Sequence, residues 1–193
     1  MNDGKDEAGL DEVLRSLADD PGRLELTSFY SDGAPAWVAP DLWIAAPSRA
    51  VSQRGSYRVE IVVDRIGESV GVTGLTVTSS EDERIDSDAL RAIHLRALFT
   101  AATLSVINWS PNGVFDRRNI ASVLNDLRSD AQPTSEGRYR LPEGDALRGL
   151  VAVVRAARLM GAGPAALLRD QLGLPSTTAR YWVERIKTHG DQP

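Results

Sequence analysis

The spacing of the apolar residues changes along this chain, and that change limits the folds open to it. Between Tyr57 and Ser79 apolar side chains recur at alternate residues, which is the period of a strand with one buried face. From Asp145 onwards they recur every three or four residues, which is the period of an amphipathic helix. The order of these segments predicts an α+β protein: a small N-terminal antiparallel sheet with packed helices, followed by an all-α C-terminal domain.

The strand-period region predicts a β-hairpin. Its first run is Tyr57–Asp64, a turn follows near Gly67, and the second run is Ser69–Ser79. Gly71 and Gly74 interrupt the second run and predict a bulge or a close backbone approach.

Other elements of the N-terminal part are predicted from shorter patterns. Extended segments are expected within residues 23–30 and 36–44, and helices at Leu10–Leu17, from about Ala89, and over Asp116–Arg128. Residues 129–144 are rich in Asp, Pro, Ser, Glu and Gly, as is typical of a linker. We therefore predict an α+β domain over residues 1–128, a linker over 129–144 and a helical domain over 145–193.

The C-terminal part predicts three helices. The first is capped by Asp145 and runs to about Met160, and the second covers Pro164–Leu172. Gly173 supplies the residue that a tight turn between helices needs, and the third helix runs from Thr177 to about His189.

The third helix has two unlike faces. Ala179, Trp182, Val183 and Ile186 form a stripe that we expect to be buried against the second helix. Polar and basic residues near the helix start lie on the other side, where a recognition helix meets the major groove. The candidate DNA-binding residues are Ser176, Thr177, Thr178, Arg180, Tyr181, Arg185, Lys187 and Arg169.

Seven of these eight residues have an expected role. Arg180 is placed to read a guanine edge, and Ser176, Thr177 and Tyr181 are placed to reach phosphates or bases. The remaining basic side chains are better placed for phosphates, where they add affinity without specificity; these are Arg169, Arg185 and Lys187.

The charge distribution agrees with a basic module on an acidic body. The chain carries a net charge of −5, with −8 in residues 1–144 and +3 in residues 145–193. A basic segment is the electrostatic footprint expected of a DNA-binding part, although three charges alone carry little weight.

The segment GPAALLRDQLGLPSTTARYWVERIKTHG resembles the helix-turn-helix modules of bacterial and phage transcription regulators. The likeness covers residues 145–190 and consists of the Gly-Leu turn, the Pro-Ser-Thr-Thr-Ala start and the Trp-Val pair. Those families usually carry a small residue four positions before the turn glycine, where this chain has Arg169. The N-terminal hairpin, YRVEIVV to GLTVTS, is similar to uncharacterised actinobacterial proteins, whose function is not known. The first resemblance implies a regulator that binds double-stranded DNA.

A homodimer is expected as well, because one recognition helix reads only a few base pairs and two half-sites lie about 34 Å apart. The N-terminal domain would then serve dimerisation or contact with a protein partner. One alternative is an adaptor or assembly protein whose C-terminal helices bind another protein. Another is a ligand pocket lined by Trp37, Trp43 and Trp109.

Catalytic and metal-binding signatures are missing from the sequence. Without cysteine there are no disulfides and no thiolate metal sites, and the two histidines have no partner at ligand spacing. The stretch Gly161–Ala166 follows a predicted helix, whereas the dinucleotide fingerprint that it superficially matches must follow a strand. We therefore expect no enzyme activity, no cofactor and no metal.

The sequence also carries no signal peptide or apolar run long enough to span a membrane, so we expect a cytoplasmic protein without membrane contact.

Overall fold

A computed structural model describes residues 25–31, 33–54, 57–79, 84–85, 87, 95–113, 118–135 and 137–190. This part of the chain is mixed α+β, with two antiparallel sheets and five helices. In chain order the elements are β1 Glu25–Ser31, β2 Pro35–Ala39, β3 Leu42–Ala45, β4 Ser48–Arg54, β5 Tyr57–Ile66, β6 Ser69–Ser79, α1 Leu95–Val106, β7 Asn108–Trp109, α2 Ile120–Asp130, α3 Gly144–Leu159, α4 Pro164–Leu172 and α5 Ser176–Gly190.

The predicted hairpin is confirmed as β5 and β6. Ile66 pairs with Ser69 across the Gly67 turn, and Gly67 has the positive φ of 61° that glycine adopts without strain. The register shifts between Val62, which faces Gly74, and Val63, which faces Val72. This bulge is the irregularity that the glycines of the second run predicted.

The hairpin belongs to a four-stranded sheet with the order β1-β4-β5-β6. Alternate residues of β5 point into the core, and α1 packs across β1, β5 and β6. The buried β5 residues are Val59, Ile61 and Val63, as their spacing predicted.

A second sheet, with the order β2-β3-β7, corrects the expectation of a single small N-terminal sheet. Its last strand has only two residues and follows α1 in the chain, and Trp109 there pairs with Leu42. Two residues are too few to show an alternating pattern, so this strand forms through its partner and not through local preference.

Two helix starts also differ from the sequence prediction. α2 begins at Ile120 and not near Asp116, because Asn119 Oδ1 accepts a hydrogen bond from the Ser122 backbone N–H at 2.8 Å and caps the helix. Asp145 does not cap α3: it lies within the first turn and pairs with Arg148. The predicted start of a helix at Ala89 and the predicted helix Leu10–Leu17 lie outside the described residues.

α2 and α3, which are connected in the chain by residues 131–143, pack against each other. Gly149 of α3 lies so close to α2 that an added Cβ would be 3.0 Å from Val123 Cγ1. Arg155 of α3 donates from Nη1 to Asp41 Oδ1 at 2.7 Å, in the turn between β2 and β3. The C-terminal helices and the sheets therefore share one hydrophobic core.

Within the described ranges, none of the helices is both long and apolar enough to cross a lipid bilayer.

Candidate nucleic-acid interface

α4 and α5 are joined by three residues whose conformations fix the angle between the helices. Gly173 ends α4 with φ 68° and ψ 21°, the left-handed geometry expected of it. Leu174 is buried, so the connection is packed into the core as well as turned. Pro164 lies in the first turn of α4, where the N–H that it lacks would have no partner in the helix.

The stripe of α5 that was predicted to be buried is confirmed. Ala179 and Trp182 are fully buried, and Val183 and Ile186 are nearly so. On the α4 side Leu168 is also fully buried. The small Ala179 side chain leaves room for the two helices to lie close together.

Arg169 does not lie in this helix crossing, although its position in the chain matches the small residue of the resembling families. Its side chain is half-exposed, and Nε donates to the neighbouring Asp170 Oδ1 at 2.7 Å. The Asp170 carboxylate raises the pKa of Arg169 through this hydrogen bond and through its charge. The arginine is therefore accommodated at the surface without spreading the helices.

The remaining candidate residues lie on the side of α5 that faces away from the core. Thr178 is half-buried, and the other α5 candidates are exposed. Tyr181 has 56% of its surface exposed, a high value for an aromatic side chain. The exposed candidates on α5 are Ser176, Thr177, Arg180, Tyr181, Arg185 and Lys187. We refer to these six residues as the outer face of α5.

The charges around the outer face are unevenly available to a ligand. Lys187 Nζ lies 2.7 Å from Glu184 Oε1, so part of its charge is already balanced. The Arg180 side chain has no ion pair or hydrogen bond within the described part of the chain. Residues 164–187 carry four basic and two acidic side chains. The surface is therefore weakly positive, with Arg180 as its most available cation.

The sequence reasoning missed one residue that contacts the end of α4. Arg128, near the end of α2, donates from Nη2 at 2.8 Å and from Nε at 3.2 Å to the carbonyl oxygen of Gln171. Gln171 lies in the last turn of α4, where carbonyl groups have no partner in the helix and the helix dipole attracts a cation. Nothing in the local sequence signals a contact between residues 43 positions apart in the chain.

The tryptophans of the N-terminal part contribute to packing. Trp37 pairs with Trp43 across β2 and β3, and both Trp43 and Trp109 are buried. Arg118 lies over the Trp109 ring, 5.2 Å from its centroid, in a cation–π contact. The part of the chain that the structure describes contains no group of three or more side chains able to hold a metal ion.

Comparison with known proteins finds no family model, no curated protein and no solved structure that matches this chain.

Proposed function

We propose that the chain binds double-stranded DNA through α4 and α5, acting as a helix-turn-helix of a transcription regulator. The observation that supports this most is the contrast between the two sides of α5. One side is buried against α4 and α3, whereas the outer face is exposed and polar and carries Arg180, whose side chain has no ion pair with any described residue. A recognition helix needs both properties, because it must be held rigidly while its other side enters the major groove.

The order of residues along α5 suggests how DNA would be contacted. Ser176 and Thr177 stand at the N-terminus, where hydroxyls, free backbone N–H groups and the helix dipole all favour a phosphate. Arg180 follows one turn later, and its fork of N–H donors matches the O6 and N7 acceptors of guanine. Tyr181 adds an exposed ring and hydroxyl beside it.

The ion pairs predict that the basic residues contribute unequally to DNA binding. Lys187 must exchange Glu184 for a phosphate, so its net contribution is smaller than that of a free lysine. Arg169 must likewise exchange Asp170. We therefore expect base discrimination to depend chiefly on Arg180, and phosphate contacts to be few.

The test is fluorescence anisotropy of labelled genomic fragments with the full chain, repeated over a series of salt concentrations. About three phosphate contacts per chain would give a slope of log affinity against log salt of about −3. Arg180→Ala should abolish the preference among sequences, at about 1–3 kcal/mol of discrimination. Lys187→Ala should weaken binding to all sequences alike and make the slope shallower.

The matched control is Arg148→Ala, since Arg148 is an exposed, ion-paired arginine of α3 and lies outside the outer face. Its binding curve should overlay that of the wild-type chain. Absence of binding at low salt, or binding that ignores salt, would contradict the proposal.

A second candidate function, docking of another protein on the same face, is favoured by one observation. Tyr181 and Arg180 are adjacent and exposed, and tyrosine and arginine are common anchors of protein interfaces. Tyr181→Ala separates the two functions: it should weaken the binding of a docked protein by about 2 kcal/mol or more, as for other anchor residues of protein interfaces, whereas DNA binding should lose about one contact.

A further inference from the structure

Among the described residues, the apolar face of the sheet is buried at β5 but only in part at β6. Ile61 of β5 is fully buried, and it pairs with Leu75 of β6. Paired residues of antiparallel strands lie on the same face of a sheet, so Leu75 lies on the side against which α1 packs. Leu75 nevertheless has 41% of its surface exposed, although leucine is most often buried. The described helices therefore leave part of this apolar face uncovered.

A groove of about 750 Å³ lies along this part of β6, and we refer to it as the groove beside β6. Its volume falls within the range of about 300–1,000 Å³ that is usual for small-molecule sites. The groove is lined by Val70–Leu75 of β6, by Arg96, Phe99, Thr100 and Thr103 of α1, and by residues 160–162 between α3 and α4. Its walls therefore come from three separate parts of the chain.

The charge of the groove lies at one end of its α1 wall. Arg96 is the first α1 residue in the lining and the only charged one among the described lining residues. Its side chain is exposed and has no ion pair or hydrogen bond with a described residue. From Arg96 to Thr103 the wall extends for about 10 Å, at about 1.5 Å per residue of helix. A complementary ligand therefore has a negative charge at one end and an uncharged body.

The two threonines of the α1 wall do not add donors for an anion. Thr100 Oγ1 donates to the Arg96 carbonyl oxygen at 3.0 Å, and Thr103 Oγ1 donates to the Phe99 carbonyl oxygen at 2.8 Å. A hydroxyl has one proton, so each of these oxygens can only accept a further hydrogen bond. The Arg96 guanidinium remains as the donor, and its forked N–H groups match the two oxygens of a carboxylate.

The rest of the lining suits an apolar body. Phe99 and Met160 are half-buried, so with Leu75 they leave apolar surface in contact with water that a ligand could cover. Methionine is unbranched and adapts to irregular shapes. Gly74 and Gly161 line the groove without a side chain to fill it.

We propose that the groove beside β6 binds a small-molecule carboxylate with an elongated apolar body. The carboxylate lies at Arg96, and the body lies along Leu75, Phe99 and Met160. The charge of the groove selects an anion over a cation of the same shape. This site is separate from the proposed DNA contact, because none of its lining residues belongs to the outer face of α5.

The first test is isothermal titration calorimetry of the full chain with dodecanoate, kept below the concentration at which it forms micelles. We expect saturable binding of one molecule per chain. Dodecyltrimethylammonium has the same apolar chain and a positive head, and it should bind at least about 10-fold more weakly, because like charges repel. No saturable binding of dodecanoate, or equal affinities for the two compounds, would overturn the proposal.

Substitutions assign the two ends of the ligand. Arg96→Gln should weaken dodecanoate binding about 10-fold, the loss expected for a hydrogen bond to a charged group, and should leave the binding of uncharged dodecanol unchanged. Leu75→Ala should weaken both compounds by the same factor. The matched controls are Arg148→Gln, an exposed arginine outside the groove, and Tyr30→Ala, since Tyr30 is exposed to a similar extent as Leu75.

Both controls should bind dodecanoate as the wild-type chain does, and far-ultraviolet circular dichroism should show that all four variants are folded. Wild-type affinity in Arg96→Gln, or equal losses in the variants and their controls, would contradict the assignment. Binding of many molecules per chain that no variant weakens would show adsorption to the surface and would overturn it as well.

The second test locates the ligand without substitution, from the backbone amide signals in a nitrogen–proton correlation spectrum. Dodecanoate should shift the signals of Gly71, Gly74 and Gly161, which line the groove, and should leave those of Gly113 and Gly137 in place. Shifts confined to other residues would place the ligand elsewhere and refute the site. Because neither test involves DNA, ligand binding can fail while the proposed DNA binding holds, and the reverse.

Discussion

Replacing Arg128 by methionine removes the two hydrogen bonds to the Gln171 carbonyl while keeping an unbranched side chain. The carbonyl lies in the last turn of α4, one residue before Leu172 and two before the Gly173 turn. Arg128 is half-buried, so water can replace part of what the guanidinium supplies. The substitution therefore tests how firmly α2 holds the end of α4.

The size of the loss follows from two contributions. A hydrogen bond to a charged group contributes about 1.5–3 kcal/mol, and a cation at a helix C-terminus about 0.3–1 kcal/mol. With partial replacement by water we expect Arg128→Met to lower the free energy of unfolding by about 2 kcal/mol. For a chain of this length that corresponds to a fall of about 4–8 °C in Tm. Arg128→Lys keeps the charge but lacks the forked N–H donors of the guanidinium, so it should lower the free energy of unfolding by about half as much as Arg128→Met.

The assay is urea unfolding followed by far-ultraviolet circular dichroism. The midpoint should fall without a change of slope, because the surface exposed on unfolding stays the same. Arg148→Met serves as the control: it removes an exposed pair with Asp145 and should change stability by less than about 0.5 kcal/mol. If Arg128→Met matches this control, the contact with Gln171 does not hold α4 in place.

Two further substitutions test backbone conformation and packing. Gly173→Ala should lower the free energy of unfolding by about 1 kcal/mol in the same urea assay, because φ is 68° and the new Cβ would have no neighbour within 4 Å. A neutral result there would mean that the turn relaxes. In Gly149→Ala the new Cβ would lie 3.0 Å from Val123 Cγ1, and this overpacking should lower the free energy of unfolding by about 1–3 kcal/mol. The higher helix propensity of alanine should offset about 1 kcal/mol of that loss. Adding Val123→Ala should make the Gly149→Ala change less costly than it is alone; equal costs in both backgrounds would show that the contact is not the cause.

Features set by neighbours in the chain could be predicted from the sequence. The β5–β6 hairpin follows from two-residue alternation around Gly67, and the end of α4 follows from Gly173. The buried stripe of α5 follows from its helical spacing, because the large apolar residues Trp182 and Ile186 can be covered only on one side. In each case the signal and the structure lie within a few residues of one another.

Features that join distant parts of the chain could not be predicted in this way. β7 forms because Trp109 meets Leu42, and Arg155 pairs with Asp41 across 114 positions. The groove beside β6 is lined by Val70–Leu75, by residues of α1 and by residues 160–162 after α3, so it also joins distant parts of the chain. Sequence patterns report which face of an element is apolar, but not which other element will cover it.

At the candidate interface, too, the features that could be predicted are those set by neighbours in the chain. The exposure of Arg180 and the burial of Ala179 follow from one helical pattern. The pairing of Lys187 with Glu184 is a contact between residues three apart, which the sequence permits without requiring. Whether the outer face meets DNA stays a prediction.

The close packing of α3 on α2 bears on how this chain can be recombined with others. Gly149 admits Val123 because it has no side chain, and an α3 moved to another protein would meet a surface not shaped for it. The helices from Gly144 onwards are therefore unsuited to exchange as a cassette between proteins. A chimaera that keeps their function would need to inherit α2 with them, and with it Arg128, whose hydrogen bonds reach the end of α4.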